Sequence, residues 1–149
     1  MDIRIERPDQ PETAALIRAL DAYLAPLYPP ASQHGLKLEA LLNPGVSFAV
    51  ARDESGAACG CGAVLMLDGY AELKRMYVPA ERRGQGLGRA LLQFLEDHAR
   101  TRGCRVMRLE TGIHQPEALR LYEAADYQRC QPFGAYQPDP LSVFMEKQW

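Results

Sequence analysis

Met76-Tyr77-Val78-Pro79-Ala80-Glu81-Arg82-Arg83-Gly84-Gln85-Gly86-Leu87-Gly88-Arg89 joins a β-prone stretch to a long amphipathic one, and the reading of the chain turns on it. The alternate glycines Gly84, Gly86 and Gly88 let the backbone turn tightly and leave its N–H groups unscreened by side chains. Leu87, Leu91, Leu92, Leu95 and Ala99 then recur on one face, which predicts a helix from about Gly86 to Arg102, with Gly103 at its C-terminal end. At the start of such a helix the N–H donors converge where the dipole favours an anion, and Arg82, Arg83 and Arg89 add positive charge. The loop is suited to a phosphate or pyrophosphate. It is not a dinucleotide fingerprint, because Arg89 stands three positions after Gly86 where glycine is needed, and the Gly-Lys-Ser/Thr triplet of a Walker loop does not occur. Taken alone, a glycine-rich turn that only caps a helix is the plain alternative.

Upstream of the loop, Val46 to Ala51, Ala57 to Leu67 and Tyr70 to Val78 are apolar and β-prone. They are separated by the turns Asp53-Glu54-Ser55-Gly56 and Asp68-Gly69, which predicts an antiparallel meander. Gly60 and Gly62 inside its second strand point to a bulge or a close backbone approach. Before it, Ile3 to Glu6 alternates like a short strand. Leu16, Ile17, Leu20, Tyr23 and Leu24 then recur at helical spacing until Pro26, and Gln33 to Leu42 reads as a second, short helix. Downstream, Val106 to Glu110 is a strand, Pro116 opens a helix through Ala124, and Tyr127–Cys130 and Ser142–Glu146 are closing strands. The strands before and after the long helix should be parallel, joined by a right-handed crossover. The fold class is α/β in the α+β sense, a mixed sheet covered by helices in one domain over residues 1–149.

The composition is that of an ordinary globular chain, with 47% apolar and 24% charged residues. A formal net charge of −2 gives no global case for nucleic-acid or membrane-surface binding, and no apolar run approaches the roughly 20 residues needed to cross a bilayer. The N-terminus lacks the apolar core of a signal peptide, so a cytoplasmic protein is expected, with Cys59, Cys61, Cys104 and Cys130 as free thiols. Cys59-Gly60-Cys61 is too tightly spaced for a zinc site, and no metal is expected.

Two blocks together carry a family resemblance. Arg83-x-x-Gly86-x-Gly88 resembles the pyrophosphate-binding signature of the GCN5-related N-acetyltransferases, with Met76-Tyr77-Val78-Pro79 like that family's fourth strand running into the loop. Ala118-Leu119-Arg120-Leu121-Tyr122-Glu123-Ala124-Ala125-Asp126-Tyr127 resembles its late helix motif, with Asp126 where glycine is usual. Asp126 can still take the left-handed conformation required after a helix. The resemblance implies a mostly antiparallel central sheet of about six or seven strands, with a parallel, splayed central pair flanked by about four helices. It also implies acetyl-CoA as cosubstrate and direct transfer to a primary amine in a ternary complex. The backbone from Arg83 through Gly84, Gln85, Gly86, Leu87, Gly88 and Arg89 would hold the pyrophosphate. Backbone groups of Met76, Tyr77 and Val78 would pair with the pantetheine arm, and Gln115 stands where the family often has an asparagine beside that arm.

Acetyl transfer needs a base to free the amine and benefits from an acid for the departing thiolate. Glu72, eleven residues before Arg83, falls on the strand position of the catalytic glutamate in histone-acetylating relatives, whereas pairing with Lys74 or Arg75 is its plain reading. Tyr122 falls on the motif position whose hydroxyl faces the thioester sulfur; a core tyrosine is its plain reading. Tyr28, His34, Phe133 and Tyr136 lie in the loops that border the acceptor site in this family. Lys74 and Arg75 would meet an acceptor carboxylate, and Glu110 an acceptor amine. The expected acceptor is a small-molecule amine, and a homodimer is expected by analogy. The competing functions are a protein or peptide N-acetyltransferase and a non-catalytic sensor of acyl-CoA.

Overall fold

In the computed structural model, which describes residues 1–149, the chain forms β1 (Asp2–Ile5), α1 (Pro11–Leu24), α2 (Leu38–Leu41), β2 (Val46–Arg52), β3 (Ala58–Met66) and β4 (Ala71–Tyr77). After these come α3 (Leu87–Thr101), β5 (Val106–Gly112), α4 (Pro116–Ala124), β6 (Gln128–Arg129) and β7 (Ser142–Gln148). The strands make one seven-stranded sheet in the order β1-β2-β3-β4-β5-β7-β6. Every neighbouring pair is antiparallel except β4 and β5. That pair is parallel, as the long intervening helix requires.

The sheet face under α3 and α4 is sealed by Leu87, Leu91, Leu92, Leu95 and Ala99 of α3, packed on Val64, Leu73, Met107, Leu109 and Met145. Their spacing is the amphipathic stripe seen in the sequence, and fully burying each leucine is worth about 1.5–3 kcal/mol. Glu96, on the same helix and 2% exposed, accepts from the Tyr127 hydroxyl at 2.8 Å and from Lys147 Nζ at 3.1 Å, so its buried charge is paired. On the opposite face a smaller core joins Leu16, Ile17 and Leu41 to Phe48, Val50 and Ala63.

Two details depart from the sequence reading. The second helix is confined to Leu38–Leu41, and Lys37 before it has extended backbone. The glycine-bearing β3 does carry a bulge, with Cys59 as the extra residue against β2 beside Gly60, but a second bulge, between β3 and β4, puts its extra residue on β4, where Arg75 has φ 57°. The glycines of β3 also serve close approach, the other reading of them. A Cβ on Gly62 would stand 2.5 Å from Met76 Sδ and 2.9 Å from Leu95 Cδ1. Asp126, at φ 73°, takes the left-handed conformation expected of it.

Candidate active site

β4 and β5 pair only from Ala71 to Leu73 and from Met107 to Leu109, and beyond that point they part. From Lys74 onward β4 bonds only to β3, and β5 only to β7, so the two strands present open edges to the gap. Two cavities open there. One, of about 280 Å³, lies against the end of β4 and the start of α3. The other, of about 570 Å³, lies toward α1 and the segment before α2. They share Leu20, Met76, Gln115 and Tyr122, which therefore mark their junction.

The smaller cavity borders the glycine loop. None of the N–H groups from Gly84 to Arg89 donates to another backbone group, and no side chain accepts from them. Gly86 caps α3 at φ 79° with no side-chain cap, and the first bond of the helix is Ala90 N–H to Gly86 C=O at 3.0 Å. Unpaired N–H groups at a helix start form an anion site. Met76, Tyr77, Val78, Leu87 and Gly88 line this cavity with Arg83, Gly84 and Arg89, whereas the Gln85 side chain stays outside it. The three arginines have fixed places. Arg82 pairs with Asp53 at 2.7 Å, Arg83 Nε donates to Val78 C=O at 2.9 Å, and Arg89 Nη1 donates to Ala124 C=O at 3.1 Å. Tyr23 donates to Glu117 across the same cavity; burial first, and then that carboxylate, push its phenol up to about 12.

The larger cavity is lined by side chains from separate segments. Tyr28 lies flat over Gly112, where a Cβ would stand 1.8 Å from its hydroxyl oxygen. That hydroxyl accepts from His114 N–H at 3.1 Å and donates to Gln115 Oε1 at 3.2 Å. Glu110 stands on β5 just past the point of parting, and burial raises its pKa above the ordinary carboxylate value. The charges of His34 and Lys74 oppose that rise without cancelling it. Tyr122 is 6% exposed, and its hydroxyl has no hydrogen-bond partner. Burial, and then the charge of Glu110, push its phenol well up, so it stays protonated.

Glu72 lines neither cavity. Its carboxylate accepts from the Tyr136 hydroxyl at 2.6 Å and pairs with Lys74 Nζ at 3.0 Å. Tyr136 packs edge-on against Phe133, Phe144 and His34, closing the loop between β6 and β7 over that carboxylate. Of the residues anticipated at the acceptor site, Tyr28, His34, Lys74 and Glu110 come together around the cavity, while Phe133 and Tyr136 stand behind Lys74 and Glu72. Leu20 at the junction and Asp21 beside Arg75 were not anticipated as site residues. In the sequence they read as one packed and one solvated position of an amphipathic helix. No group of three His, Cys, Asp or Glu residues is placed to hold a metal ion, and no helix is long and apolar enough to cross a membrane.

Residues 14–127 match the model of the Acetyltransferase (GNAT) family. Over 144 residues, 95% of this chain and 94% of the relative, the sequence is 46% identical to an IAA acetyltransferase of Azospirillum brasilense. It is 35% identical to the uncharacterised N-acetyltransferase YsnE of Bacillus subtilis, over 99% of both chains. A crystal structure from Klebsiella pneumoniae, described as an acyl-CoA N-acyltransferase, superposes with a TM-score of 0.84 at 44% identity. That match covers 99% of this chain and 96% of the other.

Proposed function

Because the chain belongs to the GNAT family of acetyltransferases and is an acetyl-CoA-dependent N-acyltransferase, we propose that it acetylates the primary amine of a small molecule within one ternary complex. The observation that carries this reading is the junction of the two cavities. A backbone-lined phosphate site and a side-chain-lined acceptor site meet at Tyr122, with Glu110 close enough for its charge to act on that phenol.

The residues present fit acetyl-CoA. The unpaired N–H groups from Gly84 to Arg89 would hold its pyrophosphate, and the open edge of β4 at Met76 and Val78 would pair with the pantetheine arm beside Gln115. Bound there, it supplies an acetyl thioester, and the C–N bond to the acceptor forms as the C–S bond breaks and the thiol departs. Glu110 takes the proton that the acceptor nitrogen loses, a role its raised pKa suits. Tyr122, protonated and without another partner, gives its proton to the departing sulfur and is reprotonated from solvent. We place the base at Glu110 rather than Glu72, whose carboxylate is bound by Tyr136 and Lys74. Glu72 then acts through Lys74, holding that ammonium beside Glu110. None of the four cysteines lines either cavity, and burial pushes the Cys61 thiol up to about 12, so direct transfer is favoured over an acyl-cysteine step. The 570 Å³ volume of the acceptor cavity suits a small molecule.

Purified protein with acetyl-CoA should release thiol in the presence of one or more small primary amines, and Glu110→Gln should abolish most of that release. Coenzyme A binding without turnover on any amine would instead leave a sensor.

A further inference from the structure

Among the walls of the acceptor cavity, Arg75 is the least ordinary residue. Its side chain is 4% exposed, and its backbone is left-handed in the middle of a strand. Non-glycine residues seldom adopt that conformation, and they persist in it where the surrounding structure holds them. The guanidinium is fixed on two sides. Nη2 donates to Asp21 at 2.7 Å, and Nη1 lies against Gly35, where a Cβ would come within 2.7 Å of it. Nε is buried and has no acceptor. The residue next to Gly35 repeats the pattern. His34 Nε2 is also buried without a hydrogen-bond partner, the Asp139 carboxylate standing 3.7 Å away, beyond hydrogen-bond reach.

Both residues line the acceptor cavity, and both orphaned nitrogens belong to groups that donate to oxygen anions. A buried donor left unpaired is costly, and such groups call for an explanation in a ligand, a water or a function. Charge narrows the choice. The cavity wall carries Lys37, Lys74 and Arg75 against Asp21 and Glu110, and Glu72 holds Lys74 from behind. Asp21, 59% exposed on its side chain, engages Nη2 and leaves Nε without an acceptor. With acids and bases so interleaved, the cavity is close to balanced and suits a ligand that is itself dipolar. Arg75 and Glu110 stand on different strands, each beyond the last paired residues Leu73 and Leu109, so one ligand in the gap meets both.

We propose that the acceptor is an amino acid-like zwitterion, with its amine at Glu110 and its carboxylate received by Arg75 Nε and His34 Nε2. This rests on the small-amine reading above and names its substrate class. A site with buried donors rejects an analogue that lacks their acceptor far more strongly than an apolar pocket rejects a missing methylene.

The test uses matched pairs, each an amino acid and the amine that remains when its carboxyl is replaced by hydrogen. Wild-type protein should favour the carboxylate-bearing member of at least one pair by about 100-fold in kcat/KM. That ratio should shrink toward one in Arg75→Lys, and also in His34→Ala, whose partly exposed side chain makes loss of folding less of a concern. In thermal denaturation with coenzyme A present, the N-acetylated amino acid should raise the wild-type Tm and the matching N-acetylated amine should not. Equal kcat/KM across every pair would overturn the carboxylate assignment while leaving the small-amine reading standing. A preference that survives both substitutions would also overturn it. If coenzyme A raises the Tm yet no member of any pair is acetylated, the small-amine reading itself fails and this inference with it.

Discussion

The cavity at the start of α3 offers backbone from one continuous segment, Gly84 to Arg89 with the end of β4 before it. The cavity beside it offers side chains from four separated places: Tyr28 and His34, Lys74 and Arg75, Glu110, and Tyr122. Backbone donors in a glycine loop recognise any pyrophosphate and are set by local conformation. Side chains gathered from distant segments recognise one acceptor, and they exist as a site only once the sheet has formed. The two halves therefore should fail differently when perturbed. Damage to the first should lower affinity for coenzyme A, and damage to the second should lower turnover or acceptor selection.

The largest expected effect lies in the acceptor half. Glu110→Gln should lower kcat by about 10²–10⁴-fold, the usual range for a general base, with coenzyme A affinity unchanged by calorimetry. A carboxyl whose pKa is raised stays protonated to higher pH. Activity should therefore climb with pH through a limb set above the ordinary carboxylate range by the burial of Glu110, against the charges of His34 and Lys74. That limb should vanish in Glu110→Gln. If Glu72→Gln removes it instead, the base is Glu72.

Next, Tyr122→Phe should reduce kcat by about 10²-fold in a thiol-release assay and leave coenzyme A affinity alone, since only a proton donor at the junction is removed. Unchanged turnover would take Tyr122 out of the mechanism.

A smaller effect, of the other kind, belongs to the loop. Gly88→Val should weaken coenzyme A binding by about tenfold, roughly 1.4 kcal/mol, because a Cβ there already meets Leu121 at 3.4 Å before the branched methyls are added. Gly86→Ala meets open space, and its cost comes from the left-handed φ of 79°, about 1–2 kcal/mol. Titration of coenzyme A measures both. If affinity survives both, the pyrophosphate does not lie on this loop.

The smallest effect tests how the acceptor half is held. Gly112→Ala would put a Cβ onto the Tyr28 hydroxyl and should lower the Tm by about 5 °C through overpacking and loss of the bonds to His114 and Gln115. An unchanged Tm would mean that Tyr28 does not rest on Gly112.

Much of this was legible along the chain. The meander, the long helix, Pro116 at the start of α4 and the parallel pair follow from period, turn residues and connection length, which are local properties. Local properties misled between Gln33 and Lys37. That segment has a helical composition, but His34 C=O accepts from Lys74 Nζ, and Gly35 lies against the Arg75 guanidinium. The bulge could not be assigned to β4 because nothing in Lys74-Arg75-Met76 marks a left-handed residue.

The choice between the two glutamates shows the boundary most clearly. By sequence, Glu72 and Glu110 are both acids on β-prone strands, and the spacing to Arg83 favours Glu72. Which of them is free for chemistry depends on Tyr136, which returns 64 residues after Glu72 to bind its carboxylate, and on the parting of β4 from β5, which leaves Glu110 at the cavity. The sequence by itself determined the order of elements and the glycine loop before α3, because helix period, glycine conformations and unpaired N–H groups depend on neighbours a few positions away. Only the tertiary structure decided which acid, which arginine and which tyrosines line the larger cavity, because burial, pairing and orphaned donors arise between segments that meet after folding.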